Sequence, residues 1–206
     1  MLYVWIDIET TGFDFHKCGI CEIAGLVTRD DFVEINNFHR IIDNRNSYWE
    51  AGALRMHQAS GLYREMEQGV TLLEAMQDLN KWTSIALDQF QNEMCYEKQG
   101  LGETANNIIY NAKLAGSSVH FDRRFLIRDW KGNFDSLFSH QELDVSSIGL
   151  VIKSTCGDEV ANAFYETKAA LKKADHRAMD DIRHSLSLLN YYREQGLISS
   201  RNCDFK

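Results

Sequence analysis

The chain has 206 residues, 44% hydrophobic and 11% aromatic, enough for one globular domain with a sizeable core. A formal charge of −8 excludes a broad basic binder of duplex nucleic acid, which needs a clustered positive surface. No stretch approaches the roughly 20 apolar residues of a membrane span, so no membrane partner is expected.

The first strand is predicted over residues 2–9, where an apolar, β-branched run begins almost at Met1. No basic segment leads into an apolar one there, so neither a secretory signal nor a targeting extension is expected. A second strand is predicted over 20–28 and a third over about 32–42, joined by the short polar connection Arg29-Asp30-Asp31. Cys18 and Cys21 form a lone C-x-x-C that runs into the second strand, which reads as a turn with buried thiols. The five cysteines, Cys18, Cys21, Cys95, Cys156 and Cys203, are odd in number and scattered. They predict a reducing, cytoplasmic setting.

Apolar positions at three- and four-residue steps predict a helix over 70–90, through Val70, Leu73, Met76, Leu79 and Trp82. The polar stretch 91–106, with Gly100 and Gly102, reads as a surface insertion. Ile108-Ile109-Tyr110 reads as a short strand. Ser117 or Ser118 is expected to cap a helix whose inner stripe is Val119, Asp122, Phe125 and Leu126. Leu143-Asp144-Val145-Ser146 ends a strand and opens a further helix capped by Asp144 or Ser146. The last helix is predicted over about 177–194, with Met179, Ile182, Leu186 and Leu189 inward, and the polar tail 196–206 loosely held. Three strands followed by alternating helix and strand indicate an α/β domain with a mixed sheet.

Asp7 and Glu9 lie two residues apart on the first strand, so both project from one face. Neighbouring like charges need compensation, and hard divalent cations supply it through carboxylate oxygens. Asp122, on an otherwise apolar stripe, and Asp180 or Asp181, at the start of the last helix, are further candidate ligands. His176 precedes that helix, where an imidazole can take the proton of a bound water.

These residues resemble a known family. Asp7-Ile8-Glu9-Thr10-Thr11-Gly12, Gly116 through Leu126 around Asp122, and His176-Arg177-Ala178-Met179-Asp180-Asp181-Ile182-Arg183 are similar to the three motifs of the DEDD superfamily of 3′→5′ exonucleases, in its histidine branch. Asp122-Arg123-Arg124-Phe125-Leu126, Leu143-Asp144-Val145-Ser146 and Tyr191-Tyr192-Arg193 resemble oligoribonucleases within it, as does the segment from Met56 to Leu62. The resemblance implies a ribonuclease H-like fold, a mixed five-stranded sheet flanked by helices, with an exonuclease domain over 1–195. It selects Asp181, five residues after His176, as the last ligand. Asp7, Glu9, Asp122 and Asp181 would hold two divalent cations, Mg²⁺ or Mn²⁺, and His176 would be the base.

Thr10, Phe13, His57 and Ser117 are the implied substrate contacts. The implied activity is 3′→5′ cleavage of short single-stranded RNA to nucleoside 5′-monophosphates, in a homodimer. Two other readings use the same residues: a broader single-strand exonuclease acting on DNA or RNA 3′ tails, and a non-catalytic nucleic-acid-binding module. The chain departs from the pattern at Ser117, where the family usually has asparagine. It departs again at His140 and Gln141, in place of an aromatic residue and an arginine from the partner subunit, and at Gly52, in place of a tryptophan.

Overall fold

A computed structural model describes residues 1–100 (backbone only for 97–100), 111–130, 132, 134–156 and 176–198. Five strands form one mixed sheet in the order β3-β2-β1-β4-β5. They are β1 (Tyr3–Thr10), β2 (Ile20–Thr28), β3 (Glu34–Ile41), β4 (Ala112–Gly116) and β5 (Phe138–Asp144). β2 and β3 run antiparallel to their neighbours, whereas β4 and β5 run parallel to β1. β1 is therefore the central strand, at the point where the two halves of the sheet meet.

Helices cover both faces. Val4, Ile6 and Ile8 pack on one side, with Met76, Leu79 and Phe90 of α3 (Leu72–Gly100) and Phe125 and Leu126 of α4 (His120–Asp129). Tyr3 and Trp5 pack on the other side, with Ile152 of α6 (Val145–Thr155) and Ile182, Leu186 and Tyr192 of α7 (Ala178–Glu194). Strand alternation puts Asp7 and Glu9 on the Trp5 side, under α7. Between β3 and α3 run α1 (Ala51–Ala59) and α2 (Leu62–Glu65). The short α5 (Phe134–Leu137) precedes β5.

Several boundaries differ from expectation. The third strand starts at Glu34, because Phe32 closes a turn onto the Arg29 carbonyl with φ +59. α3 begins after Thr71, whose hydroxyl and N–H exchange hydrogen bonds with Glu74, and it continues through Gln91 to Gly100. The first part of the expected insertion is thus helix; 101–106 lie outside the described residues. So does the predicted strand 108–110, and the strand that pairs with β1 is Ala112–Gly116. Neither serine caps α4. Val119 holds the cap position, and Ser118, at φ +58, turns its N–H to Asp144 and Ser146. Asp144 caps α6, accepting the Ser146 and Ser147 N–H groups. At the start of the expected tail, Leu197 and Ile198 dock on the core and bond to the Tyr192 carbonyl. Cys18 and Cys21 are buried free thiols. Among the described residues, no helix is long and apolar enough to cross a membrane.

Candidate active site

The site lies at the carboxyl end of β1, where open sheets leave a crevice for ligands. One side-chain oxygen each of Asp7, Glu9 and Asp181 lies within 4.8 Å of the others. Asp181 reaches them because α7 packs over the strand face that carries both acids. Asp180, its neighbour, is exposed.

Asp122 arrives from α4 on the opposite side of the sheet. Pairing between β1 and β4 stops at Trp5, so among the described residues no strand flanks the last residues of β1 on that side. The Asp122 carboxylate takes the Ile8 N–H there at 3.0 Å and is 4% exposed. It lies outside the group of three oxygens that converge within 4.8 Å, but its charge raises both Asp7 and Glu9.

The electrostatics favour a cation. Burial, then repulsion from Asp122, Glu9 and Asp181, pushes the Asp7 carboxyl well up from its usual range. Burial and the charges of Asp181, Glu22 and Asp122 raise Glu9 to about 8. Burial raises Asp122 to about 7 against the opposing bond from Ile8. Hard oxygen donors crowded in this way fit a divalent metal such as Mg²⁺ or Mn²⁺.

His57 is fully buried beneath the cage. Its Nε2–H donates to the Thr10 carbonyl at 3.0 Å and lies 3.6 Å from Glu9 Oε2. The carbonyl can only accept, so the proton sits on Nε2, and burial keeps the ring neutral by lowering its pKa. The structure therefore places His57 behind the strand, as a prop for Thr10. Thr10 donates its hydroxyl to the Gly12 carbonyl at 2.7 Å.

His176 stands on the loop entering α7, half-buried and at φ +43. Arg177 beside it is committed to Glu22 and Glu65. Burial would raise Glu22, but bonds from His39, Arg177 and the Ala178 N–H outweigh it and hold the carboxyl below its usual range.

A cleft of about 290 Å³ opens beside the acids, walled by Phe13, Phe121, Ala53 and Met56. Phe13 is 81% exposed, with its ring edge-on to Phe121 at 5.9 Å. Its turn is rigid. Glu50 accepts the Asp14 N–H at 3.1 Å and donates its own N–H to the Thr11 carbonyl. A β-carbon at Gly12 would lie 2.5 Å from the Glu50 carboxyl carbon, so a larger residue would displace Glu50. Ser117 is exposed at the end of β4. Sequence reasoning missed Glu22, Glu50, Met56 and Phe121. Glu22 alone left a signal, as an acid inside an apolar strand.

The Exonuclease (RNase T) family profile matches residues 4–96. The oligoribonuclease of Mycobacterium leprae is 31% identical over 199 residues, covering 95% of this chain and 81% of that protein. The oligoribonuclease of Francisella tularensis subsp. holarctica is 27% identical, covering 93% and 94%. Exonuclease I from Methylocaldum szegediense superimposes with a TM-score of 0.63 at 14% identity, over 96% of this chain and 41% of that one. E. coli Exonuclease I in complex with a dT13 oligonucleotide gives 0.63 at 12% identity, over 95% and 42%. The chain thus spans about two-fifths of the length of these solved structures, which share its fold. A mixed sheet with acids gathered at the end of its central strand, in a chain with these relatives, defines a 3′→5′ exonuclease, a hydrolase. The chain belongs to the oligoribonuclease family.

Proposed function

We propose that the chain is a divalent-metal-dependent exoribonuclease that shortens small single-stranded RNAs from the 3′ end, releasing nucleoside 5′-monophosphates. The observation that carries this reading is the convergence of Asp7, Glu9 and Asp181 beside a cleft with apolar walls. Asp7, Glu9, Asp122 and Asp181 would hold two ions, Mg²⁺ or Mn²⁺. When bound, such ions supply an activated water and neutralise charge at the scissile phosphate. His176 accepts the proton of the attacking water on a ring nitrogen, and so acts in its neutral form. Phe13, braced at its edge by Phe121, offers its exposed face to the terminal base, while His57 and Thr10 hold the backbone beneath it. Ser117, exposed at the strand end, would contact the RNA strand. The unpaired Cys18, Cys21, Cys95 and Cys156 fit a reducing, cytoplasmic setting.

Phe13→Ala should raise KM about tenfold on short RNA, because stacking one base on an aromatic ring is worth about 1–3 kcal/mol. Its melting temperature should stay unchanged, since the ring is exposed. A fall in melting temperature with normal KM would return Phe13 to a purely structural role.

A second reading, a broader single-strand exonuclease, draws on β5. Gln141 stands where the resemblance calls for an arginine, and its side chain accepts from Lys113 at 2.5 Å. End-labelled RNA and DNA oligomers of two to about 20 nucleotides, with and without chelator, decide between the readings. RNA dinucleotides should be cleaved fastest and chelator should stop all cleavage. Equal or faster cleavage of long strands or DNA selects the second reading. Cleavage that survives chelation rejects the acidic site.

A further inference from the structure

Glu22 lies inside the apolar strand β2, is 1% exposed, and stands opposite Glu9 in the β1–β2 register. A carboxylate buried beside other acids is costly unless it is paired. Most of its partners come from one short segment. Arg177 donates to Glu22 Oε1 through Nε and Nη2, at 3.0 Å each, and the Ala178 N–H donates to Oε2 at 3.1 Å. His39 adds a bond at 2.7 Å from β3. Arg177 also grips both oxygens of Glu65 at the end of α2, at 2.9 Å each. One guanidinium therefore ties the sheet to the helix that follows the α1 wall of the cleft.

The segment that Arg177 anchors carries two of the site's residues, His176 and Asp181. The Ala178 N–H is among the donors that a helix start leaves unsatisfied, and Arg177 supplies no side-chain cap there. Glu22 satisfies it from the sheet, and its charge suits the positive end of α7. The Asp181 N–H bonds to the Arg177 carbonyl at 3.0 Å, so fixing Arg177 fixes the first turn and with it Asp181. His176 is one peptide bond away, in a left-handed conformation that its surroundings must impose.

We propose that Glu22 and Arg177 are positioning residues of the hydrolysis, a bracket that holds His176 and Asp181 in register with Asp7 and Glu9. The proposal rests on the site described above. Neither residue touches substrate; both act through the start of α7.

The test compares Arg177→Lys, Glu22→Gln and the double variant with the unmodified protein. Lysine keeps the charge but, as a point donor, cannot span two carboxylates. In Arg177→Lys, kcat should fall about 10- to 100-fold with KM within about twofold, because a displacement of about 1 Å in a reacting group has that effect. Mn²⁺ affinity, titrated without substrate, should weaken about tenfold, as when a partner of a metal ligand is lost. The double variant should be no worse than the poorer single one, since the two residues act as a unit. If Glu22→Gln does not fold, Arg177→Lys and Glu65→Gln at the surface end of the bracket carry the test, both lowering kcat. Folded Arg177→Lys with normal kcat and normal Mn²⁺ affinity overturns the bracket, as does an effect confined to melting temperature. Asp7→Asn is assayed alongside. If it is inactive while Arg177→Lys is normal, the bracket alone fails; if it is active, the site itself fails.

Discussion

Replacing Asp7 or Asp181 by asparagine should lower the rate of RNA cleavage by more than about a thousandfold while leaving RNA binding within a few-fold of normal. The magnitude follows from the chemistry. Metal-borne charge stabilisation of a phosphoryl transition state is worth several kcal/mol, and about 4 kcal/mol is three orders of magnitude in rate. Asparagine has the same shape but lacks the charge that holds a hard cation. Asp7 lies under α7 beside Glu9, and Asp181 closes the same cage from the helix, so each removal opens one side of it. Binding survives because the Phe13 and Phe121 surfaces are untouched. The same variants should melt at a higher temperature than the unmodified protein in chelator, since each relieves repulsion among buried acids. Single-turnover cleavage, a binding titration and a melting curve on one preparation check all three. Cleavage near the normal rate in either variant would remove that residue from the reaction.

The part of the site carried by β1 was legible in the sequence because a strand has a fixed period. Alternation alone puts Asp7 and Glu9 on one face, and that face is the one α7 covers. The inner stripe of α4, with Asp122 among Val119, Phe125 and Leu126, was legible for the same reason. What periodicity could not supply was the pairing between distant segments. Glu22 reads as one acid in a strand, and two of its three partner residues, Arg177 and Ala178, lie more than 150 residues away. Phe13 was equally compatible with core and surface until the turn around Gly12 placed its ring in the open. Gln91 to Gly100 read as loop from polarity, yet most of those residues are good helix formers and no breaker precedes Gly100. Ser117 or Ser118 reads as a cap because serine favours caps. The left-handed backbone of Ser118 instead sends its N–H across to Asp144, which caps α6.

Without divalent metal, the protein should lose stability as pH rises from about 6.5 to 8, and millimolar Mg²⁺ or Mn²⁺ should restore it. The sign comes from the folded-state carboxyls. Glu9 titrates at about 8 and Asp122 at about 7, against 4.5 and 3.8 for ordinary side chains. Between those limits the unfolded chain has released protons that the folded chain keeps, so stability falls with rising pH. Below the ordinary values both states are protonated and the penalty vanishes. Carboxyls held below their usual range, such as Glu22 and Asp144, add stability that is already complete by about pH 5. His57, whose pKa is lowered by burial, works in the opposite sense. It gains stability up to about pH 6.5 and nothing above, so the acids dominate the interval from there to pH 8. A cation held by the ionised cage reverses the trend. At a hundred times its dissociation constant it adds about 2.7 kcal/mol, a rise of about 5–10 °C in melting temperature for a chain of this size. Melting curves across pH 5–8, with chelator and with each metal, should therefore diverge as pH increases. Curves that stay parallel, or that do not respond to either metal at pH 8, would mean that the carboxylates do not act as one ligand set.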